Sequence, residues 1–319
     1  MIKITEKAMF EICDKLSIDP KELVFLGGGR EDSDGTVYTY NSNNSKRVVK
    51  ILAIPENQSD KLQSLEIRVR YANHLGESGI KLAYPVRNKN GNLYETSLDN
   101  KHVYIAYIME FCEGRNPESP ELTDELATEW GKIIGKSHKL TKNFSEGNSD
   151  SNLTCKSELA FFKNWCKDSF VKAAWSEMED YLDTLPKSQD DYGFIHNDNH
   201  QRNILVLNRN ITIIDFDCAG RQFFIQDITT PAQGIMFDIT GGMLSPLHDS
   251  TRLKRFFDSF VNGYEKENHL ADFWYKEITT FINYRRLLLF TCMQDWLNTE
   301  PGLKDGIIGN IKNPPQILI

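Results

Sequence analysis

The stretch Tyr192–Asp217, YGFIHNDNHQRNILVLNRNITIIDFD, constrains this chain more than any other segment. Two apolar runs, Ile204–Leu207 and Ile211–Ile214, flank Asn-Arg-Asn, which is the composition of a tight β-hairpin. With Arg209 at the centre of the turn, Asn203 and Asp215 each lie six residues away and face one another at the open end of the ladder. Asp198 stands five residues before Asn203 in the entering loop. The spacing thus predicts an amide oxygen and a carboxylate at one point, with a further carboxylate close by.

Hard oxygen donors of this kind suit Mg²⁺, which keeps several waters and prefers carboxylates together with substrate phosphates. A carboxylate beside them that holds no metal is placed to accept a proton from a hydroxyl nucleophile. The order H-x-D-x-x-x-x-N, then a strand hairpin, then Asp is the logic of a kinase catalytic loop. His196-x-Asp198-x-His200 also has the look of a transition-metal cluster for a hydrolase, but no second His/Cys/Glu cluster completes such a site.

The first hundred residues supply an independent check. An amphipathic helix is predicted within residues 1–20, from Ile4, Ala8, Phe10, Ile12 and Leu16, closed by Pro20. Leu23–Leu26 then runs into Gly27-Gly28-Gly29, and Val37–Tyr40 and Arg47–Ala53 read as the second and third strands. Residues 58–76 carry helical spacing at Leu62, Leu65, Val69, Ala72 and Leu75. Short strands around Tyr84–Val86 and at His102–Phe111 complete a five-stranded sheet with one inserted helix. A polar connector, Glu113–Pro120, separates this part from a mainly helical remainder: helices over 122–140, 158–185, 251–266 and 273–297, interrupted by the strand pair within 203–217. The fold class is α+β, with a boundary near residue 112 (1–112 and 113–319).

Composition narrows the function. The 319 residues carry 37 basic and 45 acidic side chains, a formal charge of −8, which disfavours a dedicated nucleic-acid binder. Six scattered cysteines form no CxxC pair and read as reduced thiols. MIKITEKAMF lacks an apolar leader core, and no run reaches the roughly 18 apolar residues of a membrane span. A soluble, cytoplasmic protein with no membrane partner is expected. The acidic run Glu113, Glu118, Glu121, Asp124, Glu125 could line a pocket for a cation, but acids in a first helical turn, with Ser119 as cap and Pro120 at the start, explain it more simply.

HNDNHQRN and IDFDCAG, with VVKIL upstream, resemble the aminoglycoside phosphotransferase, choline kinase and type II homoserine kinase superfamily, in order over roughly residues 23–300. The resemblance implies a bilobal, protein-kinase-like fold and transfer of the γ-phosphoryl group of ATP, with Mg²⁺, to a hydroxyl of a small molecule of aminoglycoside, homoserine or amino-alcohol type. It makes Asp198 the catalytic base and Asn203 and Asp215 the metal ligands. His196 would buttress the loop, Asp217 would lie by a second metal position, and Asp227 would support the loop. Lys50 would pair with the α- and β-phosphates, under a glycine hairpin that includes Gly28 and Gly29. Glu66 is the candidate partner of Lys50, although Arg68 fits the family spacing about as well. Backbone groups of Glu110 and Cys112 would read the adenine edge. A protein Ser/Thr kinase and a non-catalytic nucleotide-binding relative are the alternatives. His138, Tyr264, Tyr284, Arg285, Arg286 and Trp296 are read mostly as packing residues.

Overall fold

The computed structural model describes residues 4–28, 35–42, 45–146, 150, 152–233, 235–236 and 251–314. Gly29 lies outside them. The chain divides into two compact units, Met1–Glu113 with Ile214–Asp217, and Gly114–Ile213 with Cys218–Ile319. The IDFD segment therefore belongs with the first unit, which a single boundary near residue 112 does not anticipate.

The first unit is built on an antiparallel sheet of β1 (Val24–Gly28), β2 (Gly35–Ser42), β3 (Ser45–Pro55), β4 (Pro85–Val86), β5 (Glu95–Asp99) and β6 (His102–Glu110). The strand order is β1-β2-β3-β6-β4, with β5 also paired to β6. The sheet has six strands where five were expected. The addition, β5, reads ETSLD and buries only Ser97, so it carries almost no hydrophobic alternation to announce it. Side chains alternate across β3: Val49 and Ile51 point to one face, Lys50, Leu52 and Ile54 to the other. Helix α1 (Glu6–Leu16), capped by the Thr5 hydroxyl, packs Ala8, Ile12 and Leu16 onto the Val49–Ile51 face. Helix α2 (Ser59–Glu77) places Leu65 and Val69 against Leu52, Ile54, Ile105 and Tyr107. Lys50 thus shares the α2 face, directly across the ladder from Tyr107.

The second unit is mainly helical. Helix α3 (Asp124–Thr141) starts at the Thr123 cap, whose hydroxyl accepts from Leu126 N; Ser119 and Pro120 instead open a separate short turn, Ser119–Glu121, closed by a reciprocal Glu118/Glu121 capping box. The expected helix over 158–185 is two helices, α4 (Cys155–Trp165) and α5 (Ser169–Thr184). Asp168 breaks the run by capping α5 through Phe170 N and Val171 N at 3.0 and 3.2 Å. Then come α6 (Phe224–Thr229), α7 (Thr251–Tyr264), α8 (Asp272–Lys276), α9 (Ile278–Leu297) and a helix not expected from the sequence, α10 (Pro301–Lys312). Helices α3 and α7 approach closely because Gly131 has no side chain: a Cβ there would meet Phe260 O at 2.0 Å.

Two short ladders carry the motif. Strand β7 (Tyr192–Ile195) pairs with β10 (Gly220–Phe223), and β8 (Ile204–Leu207) pairs with β9 (Asn210–Ile213). Asn208 and Arg209 both have positive φ, 49° and 66°, and form a two-residue turn rather than one centred on Arg209. The register consequently pairs Ile204 with Ile213, one residue out of step with the expected Asn203–Asp215 pairing.

Candidate active site

In the first unit the structure brings Lys50, Asp215, Asp217 and Tyr107 together. Lys50 Nζ lies 2.5 Å from Asp217 Oδ2 and 3.0 Å from Asp215 Oδ1. Burial alone would lower the ammonium's pKa, but the charges of Asp217 and Asp215 outweigh it and hold Lys50 well above its ordinary value, so it stays charged. Burial pushes the Tyr107 phenol up, and its hydroxyl bonds to Asp217. Burial, together with the like charge of Asp215, raises Asp217 above the usual carboxylate range. Asp215 sits at φ 66°, a region that Asp tolerates better than most residues and that concentrates at functional sites.

Glu66 is not brought to Lys50. Its carboxylate lies 4.0 Å from Arg70, one helical turn on, and bonds to Tyr94. What α2 contributes instead is Arg68, whose charge acts on Asp217. The anions on Lys50 come from IDFD rather than from the helix.

The glycine hairpin is described only as far as Gly28, with φ 79°, where a Cβ would meet Gly35 O at 2.2 Å, so only glycine fits. Gly35 in turn approaches Lys50: a Cβ there would lie 3.0 Å from the Lys50 Cε. At the far end of β6, the Glu110 carboxylate is taken by Arg47 at 2.8 Å. The Cys112 thiol lies 3.7 Å from Glu110 O, while its backbone N–H and C=O make no backbone hydrogen bond among the described residues.

In the second unit the catalytic-loop motif is braced from below by Asp227 of α6. Its two oxygens accept from the backbone N–H groups of Asn197 and His196 at 2.7 and 2.9 Å. Asn197 has φ 67°, and its side-chain amide donates to Glu158 and to Cys218 O. His138 of α3, fully buried and stacked on Phe224, stands 3.3 Å from Asp227. Burial pulls the imidazole's pKa down, so it is neutral. Tyr264, whose phenol burial pushes up, donates to Nδ1 at 2.9 Å, and Asn268 donates to Tyr264 at 2.8 Å. This fixes the tautomer: Nε2 carries the proton toward Asp227.

Asp198 accepts from three sides. Arg285 Nη2 lies 2.5 Å from Oδ1, Asn203 Nδ2 lies 3.1 Å from Oδ2, and His200 Nε2 lies 3.5 Å from the same oxygen. Burial raises the Asp198 pKa, but Arg285 and His200 reverse this and hold it well below the usual range. Asn203 also donates to Asp198 O at 2.9 Å, so its amide Oδ1 carries no hydrogen bond among the described residues. His196 is buried, and its Nδ1 accepts from Asp198 N at 3.3 Å. The sequence reads both Arg285 and His138 mostly as packing residues. Both lie far along the chain from the groups they touch, and no local spacing rule links them.

Among the described residues, no group of three or more His, Cys, Asp and Glu side chains gathers as a metal cluster. A cavity of about 690 Å³ is lined by Glu121, Glu125 and Glu129 together with Arg115 and Arg209. Glu121 is already held by Arg115 and by the capping box.

The profile of the phosphotransferase enzyme family matches residues 24–268. This chain belongs to that family. An amicoumacin kinase of Bacillus subtilis (strain 168) is 26% identical over 325 residues, covering 98% of this chain and 93% of that protein. Among solved structures, an amicoumacin kinase in complex with AMP-PNP, Ca²⁺ and Ami superposes with a TM-score of 0.79 at 22% identity, over 94% of this chain and 90% of that one. A microcompartment-associated aminopropanol kinase gives 0.68 at 17% identity, over 91% of each chain. The bilobal kinase-like architecture of the phosphotransferase family is thus the fold of this chain. No helix among its described residues is long and apolar enough to cross a membrane.

Proposed function

We propose that this phosphotransferase moves the γ-phosphoryl group of ATP to a hydroxyl of a small molecule, of aminoglycoside, homoserine or amino-alcohol type. The observation that carries the reading is Asp198, an ionised carboxylate aimed by Arg285, Asn203 and His200 on a loop braced by Asp227. The acceptor oxygen attacks the γ-phosphorus as the bond to the β-phosphate oxygen breaks, ADP departs, and the hydroxyl proton passes to Asp198. A carboxylate held at low pKa is a weak base, so its larger contribution is to orient the hydroxyl for in-line attack. That fits a reaction in which positioning and electrostatics supply most of the acceleration.

The donor chemistry of Asn203 and Asp215 fits Mg²⁺: one amide oxygen without a hydrogen bond, and one carboxylate whose side chain is 47% exposed. We assign them as its ligands, with Asp217 beside Lys50. When bound, Mg²⁺ would neutralise charge on the transferring phosphates. Lys50, kept cationic by its two aspartates, would orient the α- and β-phosphates, and the backbone of Glu110 and Cys112 would meet the adenine edge. The relatives named above act on amicoumacin and aminopropanol, and a structural neighbour is a spectinomycin phosphotransferase in complex with ADP and spectinomycin, which supports a small acceptor.

The test is a panel of hydroxyl-bearing small molecules with ATP and Mg²⁺, scored for ADP release above the acceptor-free rate. One acceptor that stimulates release and gains phosphate supports the reading. Phosphate appearing on added protein, with no small molecule stimulated, would replace it by a protein kinase.

A further inference from the structure

Helix α9 presents two consecutive arginines to the interior, and only the first has a partner. Arg285 donates to Asp198 Oδ1 and, through Nε, to Gln233 at 2.8 Å. Arg286 is 0% exposed, and among the described residues its Nε, Nη1 and Nη2 all lack a hydrogen-bond partner. Burial lowers its pKa to about 10, which still leaves the guanidinium charged at neutral pH. An isolated charge enclosed in protein is among the most unfavourable arrangements in a fold, and native structures neutralise it with a counter-charge.

Among the described acids near this helix, Asp198 is held by Arg285, Asp295 pairs with Lys167 at 2.7 Å, Glu158 accepts from Tyr284, and Glu277 bonds to Tyr181 with its Oε2 left over; none of them bonds to Arg286. Helix α6, which packs against α9, carries a second enclosed group without a hydrogen-bond partner among the described residues: both amide atoms of the fully buried Gln226. Its Nε2 is a donor of the kind an anion accepts from.

We propose that Arg286 is the anchor of an internal anion site, taking one small monovalent inorganic anion, chloride in the first instance. A single unpaired cation calls for a single negative charge, and complete enclosure calls for a small, weakly hydrated ion. The assignment stands whether or not the proposed reaction is correct.

The test is thermal melting of the full chain in sodium chloride exchanged stepwise for sodium gluconate at fixed ionic strength. Wild type should gain a few degrees in Tm for each tenfold rise in chloride above the binding constant. Arg286→Met, which fills similar volume without charge, should melt independently of chloride. Bromide-soaked crystals of wild type give a second readout that needs no variant: an anomalous peak at the Arg286 guanidinium. A wild-type Tm indifferent to the exchange, chloride dependence that survives in Arg286→Met, or bromide peaks only at surface lysines (an adventitious ion only) would each overturn the assignment.

Discussion

Arg285 reaches across from α9 to Asp198, with Nη2 2.5 Å from Oδ1, and both side chains are largely enclosed. The pair sets the protonation state of the candidate catalytic carboxylate. Because the folded pKa of Asp198 is depressed, its stabilising contribution is fully present above the unfolded value of about 3.9 and is lost as pH falls through the folded value. Asp198 therefore stays ionised throughout the neutral range, and an acid limb of kcat near neutrality would belong to another group.

Removing the guanidinium tests this. In Arg285→Met the carboxylate keeps its desolvation and loses its main counter-charge, so its pKa rises. The acid limb of kcat should move up in pH, and turnover at neutral pH should fall by about 10²-fold through lost orientation. Stability should drop by roughly 1–3 kcal/mol. The pH profile of kcat is the readout; an unshifted profile would mean that Arg285 serves packing alone.

The loop brace gives a stability signature. His138 is held below its usual pKa by burial, so protonating it favours the unfolded chain. Its contribution is present above the unfolded value of about 6.5 and is lost as pH falls through the folded value. Tm should decline in that window for wild type, and the component due to this residue should vanish in His138→Gln. Asp227→Asn should be more severe, because one oxygen that accepts from the backbone of His196 or Asn197 becomes a donor. A loss of about 2 kcal/mol in denaturant unfolding is expected.

How much of this was legible in the sequence follows the range of each interaction. Lys50 on the inward face of β3 and the hairpin carrying the motif were readable because period-2 alternation and turn composition are local signals. The register was misjudged by one residue because Asn208 accepts positive φ and lets the turn close with two residues. Strand β5 escaped because it buries one serine, and the break before α5 because a single Asp168 outweighs a continuous helical pattern. The partners of Arg285 and His138 are not readable from sequence because they lie 87 and 89 residues away, and nothing in either segment names the other.

Glu66 illustrates the same limit at short range. The family resemblance fits Glu66 and Arg68 about equally well, and the structure sets Glu66 by Arg70 while the charge of Arg68 acts on Asp217. Glu66→Gln should therefore leave nucleotide affinity close to wild type, whereas Asp217→Asn removes the carboxylate 2.5 Å from Lys50 and should weaken binding of ATP with Mg²⁺ by about tenfold or more. Isothermal titration with AMP-PNP compares the two. A large effect at Glu66 and none at Asp217 would reverse the assignment.

In the proposed reaction Asp198 orients and deprotonates the acceptor hydroxyl without holding the nucleotide. Asp198→Ala, assayed with an acceptor identified by ADP release, tests it most directly when turnover and nucleotide affinity are measured on the same preparation. The expected result is a fall in kcat of about 10²–10⁴-fold with nucleotide affinity changed little. Near-normal turnover in a folded Asp198→Ala protein would contradict the account.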